Sequence, residues 1–436
     1  MRRVRALGIT PVLVDDHPTG DLVDDLVVLP TSDGGLEALQ RCDVVVKTPG
    51  VSRHRRDVET LTRQGVKVVG GLGLWMEEVD RSRVLCITGT KGKSTTAAIA
   101  GHLLEGMGYR CLVAGNIGLL PYDPALSDLS YDYWVVETSS FQVTDLAASP
   151  PVVAVTSLHP DHLDWHGDVE TYYREKLALC SRPGALVTVA AGDDPVLRAH
   201  RHLLGHEVRW VSADGDAGSW TDALALRGRH NRTNALIART CLREMGVTEA
   251  SDDDCVTRAA AGFRGLASRL SEVGTVGGVE FVDDSLSTNV LATLAALATY
   301  PRRRVALIVG GHDRGIDYGP LAEGLANRMA SGAGSGAGSS AASGAEPLIV
   351  LTLPGAGRRV RAAIEAGPGP APRVIDVADV PEATAKAFEW ARPDGVVLLS
   401  PAAPSFGEFR DYQERAAAFA SAMRACGDVG QPISPA

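Results

Sequence analysis

Short apolar runs alternate with stretches of helical periodicity along nearly the whole chain. This alternation is typical of parallel sheets whose strands are joined by crossover helices. Several runs end in Gly, Ser, Thr or Asp, and ligands collect at the carboxyl ends of the strands in open parallel sheets. We therefore predict an α/β fold with strands within residues 11–16, 42–50, 83–89, 133–140, 151–158, 304–311, 347–352 and 395–401.

The same pattern divides the chain into three blocks, residues 1–80, 81–261 and 262–436. Within the third block, residues 330–346 lack apolar periodicity, which is typical of a flexible insertion. The first block opens with a helix end followed by what resembles the second strand of a nucleotide-binding unit. The first strand and its glycine turn do not precede it. Either the true start codon lies upstream or the domain lacks part of its phosphate cradle, and we favour the upstream start.

Composition and charge exclude several classes of protein. Apolar residues make up 45% of the 436 residues, and the net charge of −10 argues against a nucleic-acid or membrane-surface binder. The seven cysteines are scattered without a CxxC pair, which fits a reducing compartment. No signal peptide is visible, and no apolar run approaches the roughly 18 residues that span a bilayer. We predict a cytoplasmic protein without membrane insertion.

A phosphate-binding loop follows the strand predicted within residues 83–89. Its sequence, GTKGKST, is shorter than a strict P-loop, which has a glycine where this chain has Ile87. Glycines let backbone N–H groups approach phosphate oxygens, and a helix starting near Ser94 presents its positive end. A glycine-rich turn with a solvated lysine is the alternative. The order of strand, loop and helix favours ATP binding by Gly89, Thr90, Lys91, Gly92, Lys93, Ser94 and Thr95.

Possible metal ligands follow the next two predicted strands. Glu137 ends one of them, and His162 lies in a loop with two other histidines after the other. A hydroxyl, a carboxylate and an imidazole suit Mg²⁺ beside ATP, because this ion takes few protein ligands and keeps several waters. Lys176 lies in a predicted helix, and on its own it would be interpreted as a surface lysine paired with an acid.

Eight motifs in order make the chain resemble the Mur ligase superfamily, most closely its MurD-like glutamate ligases. The motifs lie within residues 83–409. They are GTKGKST (89–95), GNIG (115–118), ETSSFQ (137–142), DHLDWHG with YYREK (161–176), GRHNRTNALIA (228–238), FRGL (263–266), VDDSLSTN (282–289) and LSPAAPSFGEF (399–409).

The resemblance implies three domains: an N-terminal UDP-binding domain, a central ATPase and a C-terminal Rossmann-like domain. It also implies a reaction that joins glutamate to UDP-N-acetylmuramoyl-L-alanine. The alanyl carboxylate attacks the γ-phosphate of ATP, and the amine of glutamate then displaces phosphate from the acyl phosphate. The implied cofactors are two Mg²⁺ ions, with ATP as co-substrate, and peptidoglycan precursor synthesis is the implied process.

The resemblance assigns roles residue by residue. It implies magnesium ligation by Ser94, Glu137, His162 and a carbamylated Lys176, with Lys93, His162 and Lys176 as the catalytic residues. It implies ATP contacts for Asn231, Asn234, Arg269 and Asp284, and a contact near the muramoyl-alanine end for Asn116. Weaker candidates for the UDP end are Asp15, Thr48 and Gly50.

The C-terminal block departs from the D-glutamate pattern while the ATPase motifs are intact. Leu286 replaces an expected lysine, Arg314 replaces another, and residues 265–271 lack the expected His and Glu. An arginine can bind a carboxylate through two hydrogen bonds. A change in the position of the cation that binds the substrate carboxylate could therefore invert the preference between the two enantiomers. We favour L-glutamate, with a separate epimerase acting afterwards. It would be held by Thr288, Arg314, Ser405, Phe406 and Tyr412.

Three alternatives stay open at this stage. The substitutions are compatible with drift in an ordinary D-glutamate ligase. Folylpolyglutamate synthase and the other Mur ligases share the ATPase core, but the former lacks a UDP domain and the latter usually differ in their C-terminal motifs. An inactive nucleotide-binding protein would not need Lys93, Glu137, His162 and Lys176. We expect a monomer.

Overall fold

The computed structural model describes residues 4–5, 7–18, 22–23, 25–117, 119–123, 126, 130–205, 207–215, 218, 220–332, 347–405 and 407–428. Most of the predicted insertion at 330–346 lies outside these residues. The chain forms two compact units. The first comprises residues 1–225 and 230–263, and the second comprises residues 226–229 and 264–436. The limits of the three predicted domains stay predictions.

The first unit contains strands β1 (Leu13–Asp15), β2 (Leu22–Val23), β3 (Leu26–Pro30), β4 (Val44–Lys47), β5 (Lys67–Gly70), β6 (Val84–Thr88), β7 (Cys111–Gly115), β8 (Tyr133–Glu137), β9 (Val152–Val155), β10 (Val187–Ala191) and β11 (Glu207–Val211). Its helices are α1 (Leu36–Leu39), α2 (Arg56–Arg63), α3 (Gly71–Glu78), α4 (Lys93–Gly106), α5 (Ser140–Val143), α6 (Leu163–His166), α7 (Val169–Leu177), α8 (Pro195–Ala199), α9 (Trp220–Ala223), most of α10 (Arg229–Glu244) and α11 (Asp253–Ala260).

A six-stranded parallel sheet forms the centre of the first unit. Its order is β11-β10-β9-β6-β8-β7. All residues of β6 are buried, as a central strand covered on both faces requires. Because β8 and β9 flank β6, the loops that follow these three strands leave the same edge of the sheet. Two smaller sheets, β1-β3-β2 and β4-β5, precede it in the chain.

The second unit contains strands β12 (Ser271–Val276), β13 (Val279–Asp283), β14 (Val305–Gly311), β15 (Leu348–Gly355), β16 (Arg373–Asp376) and β17 (Val396–Leu399). Its helices are α12 (Val290–Ala298), α13 (Gly319–Gly332), α14 (Gly357–Ala366), α15 (Val380–Ala391) and α16 (Tyr412–Asp428). The strand order is β12-β13-β17-β14-β15-β16, and only β12 is antiparallel to its neighbour. Apolar side chains cover both faces of this sheet.

The prediction of an α/β fold with mostly parallel sheets is confirmed. A strand lies within seven of the eight predicted segments, and β15 begins in the segment 347–352 but continues to Gly355. The antiparallel hairpin β12–β13 was not predicted. Its signal is Gly277-Gly278, because both glycines have positive φ, at 53° and 84°, as a tight hairpin turn requires. Within the described residues, no helix is long and apolar enough to cross a membrane.

Candidate active site

The loop between β6 and α4 is held against the loop that follows β9. The Thr90 hydroxyl donates to the carbonyl of His159 and accepts from its N–H, both at 3.0 Å. The backbone N–H of Lys91 donates to Ser157 Oγ at 2.8 Å, and Thr156 Oγ1 donates to the Lys91 carbonyl at 2.5 Å. These bonds fix the loop at the carboxyl edge of the sheet, where the sequence predicts phosphate.

Gly92 is the residue that turns the loop into α4. It adopts the left-handed conformation with φ at 89°, which favours glycine. A Cβ at this position would lie 2.6 Å from Asn234 Oδ1, so the amide packs directly on the loop. Asn231 lies one turn earlier on α10, and its Oδ1 atom is 3.4 Å from Asn234 Nδ2. The structure thus places Asn234 on the phosphate loop and Asn231 next to Asn234.

Lys176 is buried, with only 2% of its surface exposed, so the interpretation as a surface lysine was wrong. It lies near the end of α7, and its Nζ donates to the carbonyl of Gly89 at 3.0 Å. Burial, reinforced by the nearby ammonium of Lys93, holds the pKa of Lys176 well below its usual range. Burial therefore disfavours the charged ammonium form of Lys176 relative to the neutral amine.

Glu137 ends β8 beside the phosphate loop and is 2% exposed. Its Oε1 atom accepts a hydrogen bond from Asn116 Nδ2 at 3.1 Å. Its Oε2 atom is buried and has no hydrogen-bond partner among the described residues. A buried carboxylate oxygen in this state is costly unless a cation or ligand binds it, so Glu137 fits the predicted magnesium.

The structure shows no closed metal cage. Among the described residues, no group of three His, Cys, Asp or Glu side chains could hold a metal ion. This agrees with the chemistry of Mg²⁺, which usually takes one or two carboxylates and completes its shell with water and substrate phosphates. Ser94 is the second residue of α4, directly after Lys93, and it is buried.

The candidates for the UDP end lie at the ends of β1 and β4. The Asp15 carboxylate accepts the N–H of His17 at 2.9 Å on the surface. Thr48 begins a turn in which its carbonyl accepts the N–H of Val51 at 3.1 Å. The carbonyl of Gly50 accepts a hydrogen bond from Trp165 Nε1 at 3.3 Å.

In the second unit, Asp284 is a buried carboxylate at the carboxyl end of the sheet. Its Oδ2 atom accepts the Ser400 hydroxyl at 2.7 Å and the Ser287 hydroxyl at 2.5 Å, and its Oδ1 atom accepts the N–H of Leu270 at 3.2 Å. Burial raises the pKa of Asp284 to about 6, and these hydrogen bonds oppose the rise. Arg269 is close enough to favour the ionised carboxylate electrostatically.

The predicted glutamate contacts come from three loops of the second unit. Thr288 follows β13 and is partly exposed, while Ser405 follows β17 and is buried. Arg314 follows β14 and is exposed, and Tyr412 begins α16. Phe406 lies outside the described residues. The loops leave one edge of the sheet because β13, β17 and β14 are adjacent and parallel.

Comparison with known sequences identifies the family. Residues 87–223 match the Mur ligase middle domain, and residues 268–403 match the Mur ligase, glutamate ligase domain. A UDP-N-acetylmuramoyl-L-alanine--L-glutamate ligase from Micromonospora sp. is 38% identical over 415 residues, covering 91% of this chain and 85% of the relative. The chain belongs to the Mur ligase family. A relative of the same name from Xanthomonas axonopodis pv. citri is 36% identical and covers 92% of this chain and 86% of its own length.

Solved Mur ligases have the same fold as this member of the family. MurF from Acinetobacter baumannii aligns with a TM-score of 0.59 at 15% identity, covering 98% of this chain and 87% of that one. MurC from Thermotoga maritima aligns with a TM-score of 0.55 at 18% identity, covering 92% and 89%. The resemblance drawn from the eight motifs is therefore confirmed. The preference for L-glutamate agrees with the names of the sequence relatives.

The sequence reasoning for this Mur ligase missed a buried histidine. His162 is about half exposed, and its ring lies 4.9 Å from that of Phe141. His166 is buried instead, and it bonds Glu175 Oε2 at 2.6 Å through Nδ1 and Ser140 Oγ at 3.0 Å through Nε2. It thus links α5, which follows Glu137, to α7, which carries Lys176. The sequence of this loop does not indicate which of its histidines is buried and which is exposed.

The sequence reasoning also missed Arg415, a guanidinium in α16 with 1% exposure. Its Nη2 atom donates to the carbonyls of Ser285 at 2.7 Å and Ala403 at 3.4 Å. A Cβ at Gly311 would lie 3.1 Å from its Nη1 atom. Arg415 therefore lies beneath all three loops that carry the predicted glutamate contacts. A single arginine in an amphipathic helix would normally be interpreted as a surface residue.

Proposed function

We propose that this Mur ligase uses ATP to join L-glutamate to UDP-N-acetylmuramoyl-L-alanine. The observation that carries the proposal is the meeting of Glu137, Lys176 and the loop 89–95 at one edge of the sheet, which provides a buried phosphoryl-transfer site. The names of the relatives support the choice of substrates.

The reaction divides into two steps at this site. The alanyl carboxylate attacks the γ-phosphate, and ADP leaves while an acyl phosphate forms. The glutamate amine, once deprotonated, attacks the acyl carbon, and the tetrahedral intermediate expels phosphate. Phosphoryl transfer needs mainly positioning and neutralisation of charge. Lys93 and the N-terminus of α4 would supply both to the β- and γ-phosphates.

Two Mg²⁺ ions would be held by Ser94, Glu137, His162 and Lys176 together with the phosphates. Bound Mg²⁺ neutralises phosphate charge and polarises the P–O bonds. The unpartnered Oε2 atom of Glu137 supports this assignment.

We propose that Lys176 carries a carbamate. Burial lowers the pKa of Lys176 and so favours the neutral amine, which is the form that adds to carbon dioxide. The nitrogen loses a proton to solvent as the C–N bond forms, and the product is a carbamate anion that could bind Mg²⁺. The carbamate would attract the ammonium of Lys93, which repels a protonated Lys176.

The loops of the second unit would select the amino acid. Arg314 is exposed and would bind one glutamate carboxylate, and Thr288, Ser405, Phe406 and Tyr412 would complete the contacts. With Leu286 in place of the lysine of the D-glutamate pattern, the charge on one side of the site is lost. We propose L-glutamate for this reason. We also propose that the enzyme is a monomer, that it acts in the cytoplasm, and that a separate epimerase acts on its product.

The test measures ADP release from purified protein with ATP, Mg²⁺ and UDP-N-acetylmuramoyl-L-alanine, adding L- or D-glutamate in separate assays. Mass spectrometry then identifies the glutamyl product. Turnover with L-glutamate alone is expected. Turnover with D-glutamate alone would assign the protein to the D-glutamate ligases, and ADP release without added glutamate would indicate an ATPase. An absence of ADP release in every assay would contradict the proposal.

A further inference from the structure

A buried carboxylate outside the phosphate site, Asp145, binds both ends of one loop. Lys47, the last residue of β4, donates from Nζ to Asp145 Oδ2 at 2.6 Å. Arg53 donates from Nε to Asp145 Oδ1 at 2.8 Å. The side chains of Lys47 and Asp145 are only 4% and 2% exposed. Each carboxylate oxygen thus takes one cation, and residues 48–52 between the two cations form a tethered loop.

The residues around Asp145 pack closely against it and restrict its position. A Cβ at Gly70 would lie 3.1 Å from Asp145 Cβ, and one at Gly73 would lie 2.7 Å from its carbonyl oxygen. The end of β5 and the start of α3 therefore pack directly on the same residue. The tethered loop is held at its centre too, because Gly50 accepts the hydrogen bond from Trp165.

Stability alone does not explain a buried ion pair at this position. The desolvation of two charges offsets most of their attraction, and an apolar pair of similar volume is often equally stable. Directed charge-assisted hydrogen bonds do fix geometry, because they hold one oxygen against one donor. The carboxylate is therefore better suited to setting the shape of the loop than to stabilising the unit.

We propose that Asp145 is a positioning residue for the uridine-nucleotide site. It acts through Lys47 and Arg53, which hold Thr48 and Gly50 in the conformation that binds the nucleotide substrate. A loop fixed before binding loses less conformational entropy on binding, so the tether improves affinity without touching the ligand. This inference rests on the proposed function and on the prediction from the family resemblance that Thr48 and Gly50 contact the UDP end.

The test compares Asp145→Asn, Lys47→Met and the double variant Lys47→Met/Asp145→Asn. Lys67→Met is the matched control, because Lys67 opens the neighbouring strand β5 and pairs with Glu77 at 3.0 Å on the surface. KM is measured separately for UDP-N-acetylmuramoyl-L-alanine, ATP and L-glutamate, and melting temperature for each variant. Calorimetric titration with uridine 5′-diphosphate gives a binding readout that does not depend on catalysis.

We expect Asp145→Asn to raise KM for the nucleotide substrate and Kd for uridine diphosphate by about 10-fold, with KM for ATP and glutamate unchanged. The double variant should recover melting temperature, because no unpaired buried charge remains, but not the nucleotide affinity. Lys47→Arg should retain both. Lys67→Met should match the wild type.

Two results would overturn the positioning role. One is an unchanged Kd for uridine diphosphate in Asp145→Asn, and the other is recovery of nucleotide affinity together with melting temperature in the double variant. If Asp145→Asn does not fold, the double variant and Lys47→Arg decide the question in the same way. If the wild type binds uridine diphosphate without ligase turnover, the proposed function fails, and the calorimetric comparison still decides the role of Asp145.

Discussion

Lys176 in the first unit and Asp284 in the second are both buried at the carboxyl edge of a sheet, but their surroundings differ. Lys176 in the first unit makes one hydrogen bond, to the carbonyl of Gly89, and lies near other cations. Asp284 in the second unit accepts three hydrogen bonds from Leu270, Ser287 and Ser400. Burial lowers the pKa of the lysine and so disfavours its charged form, whereas the carboxylate accepts hydrogen bonds from its neighbours.

The loops around these two groups also differ, in how closely they are held and how exposed their side chains are. In the first unit the predicted phosphate loop is held by hydrogen bonds at Thr90, and Asn234 packs closely on the loop at Gly92. In the second unit Arg314 is exposed and Thr288 is partly exposed, above a buried support that includes Arg415. We therefore expect the catalytic groups to lie in the tightly packed part of the first unit. We expect amino-acid recognition to depend on side chains that can change without repacking the core.

The largest effect is expected from Lys176→Met. The variant should lose about 10³-fold in kcat, because the site loses the group that would become a metal-binding anion. Its melting temperature should be unchanged or higher, because an apolar side chain avoids the desolvation of a buried amine. Steady-state kinetics and thermal unfolding measure the two quantities. A variant with more than about a tenth of wild-type kcat would remove Lys176 from the mechanism.

Asp284→Asn tests how the buried carboxylate of the second unit makes stability depend on pH. Because the pKa of Asp284 rises from 3.8 to about 6 on folding, the folded protein binds the proton more tightly than the unfolded chain. Wild-type stability should therefore fall as pH rises through this interval, by on the order of 3 kcal/mol relative to the variant. Chemical denaturation at about pH 4 and about pH 7 measures the difference. A difference that does not change with pH would contradict the burial of the charge.

Gly92→Ala tests the rigidity of the phosphate loop. A methyl group would meet Asn234 at 2.6 Å, so KM for ATP should rise on the order of 10²-fold. The control is Gly108→Ala, because Gly108 has a similar φ of 92° and nothing within 4 Å of its Cβ position. The control should lose about 1 kcal/mol of stability with an unchanged KM for ATP. Equal effects on KM would mean that backbone strain, not the contact, is responsible.

The smallest effect is expected from Arg314→Lys. We expect kcat/KM for L-glutamate to fall about 10-fold, because lysine replaces a bidentate contact with a point charge. KM for ATP should not change. Arg410→Lys is the control, since Arg410 is exposed and pairs with Glu414 on the same helix end. An unchanged ratio of L- to D-glutamate turnover would leave Arg314 without a role in enantiomer choice.

Sequence patterns were sufficient for the parts of the molecule in which local signals and the fold agree. The strands, the phosphate loop and the start of α4 follow from apolar runs and glycines, which act through backbone geometry. The burial of Lys176, His166 and Arg415 could not be predicted in this way, because it depends on residues distant in the sequence. The Lys47–Asp145 pair, separated by 98 positions, is the clearest example.

Oxygen transfer tests the central claim most directly. UDP-N-acetylmuramoyl-L-alanine labelled with ¹⁸O in the alanyl carboxylate is turned over with ATP and L-glutamate, and the phosphate released is examined by mass spectrometry. Attack of the carboxylate on the γ-phosphate followed by expulsion of phosphate from the acyl carbon predicts that one ¹⁸O atom appears in each phosphate. Unlabelled phosphate, formed at the same rate as the glutamyl product, would contradict an acyl-phosphate route.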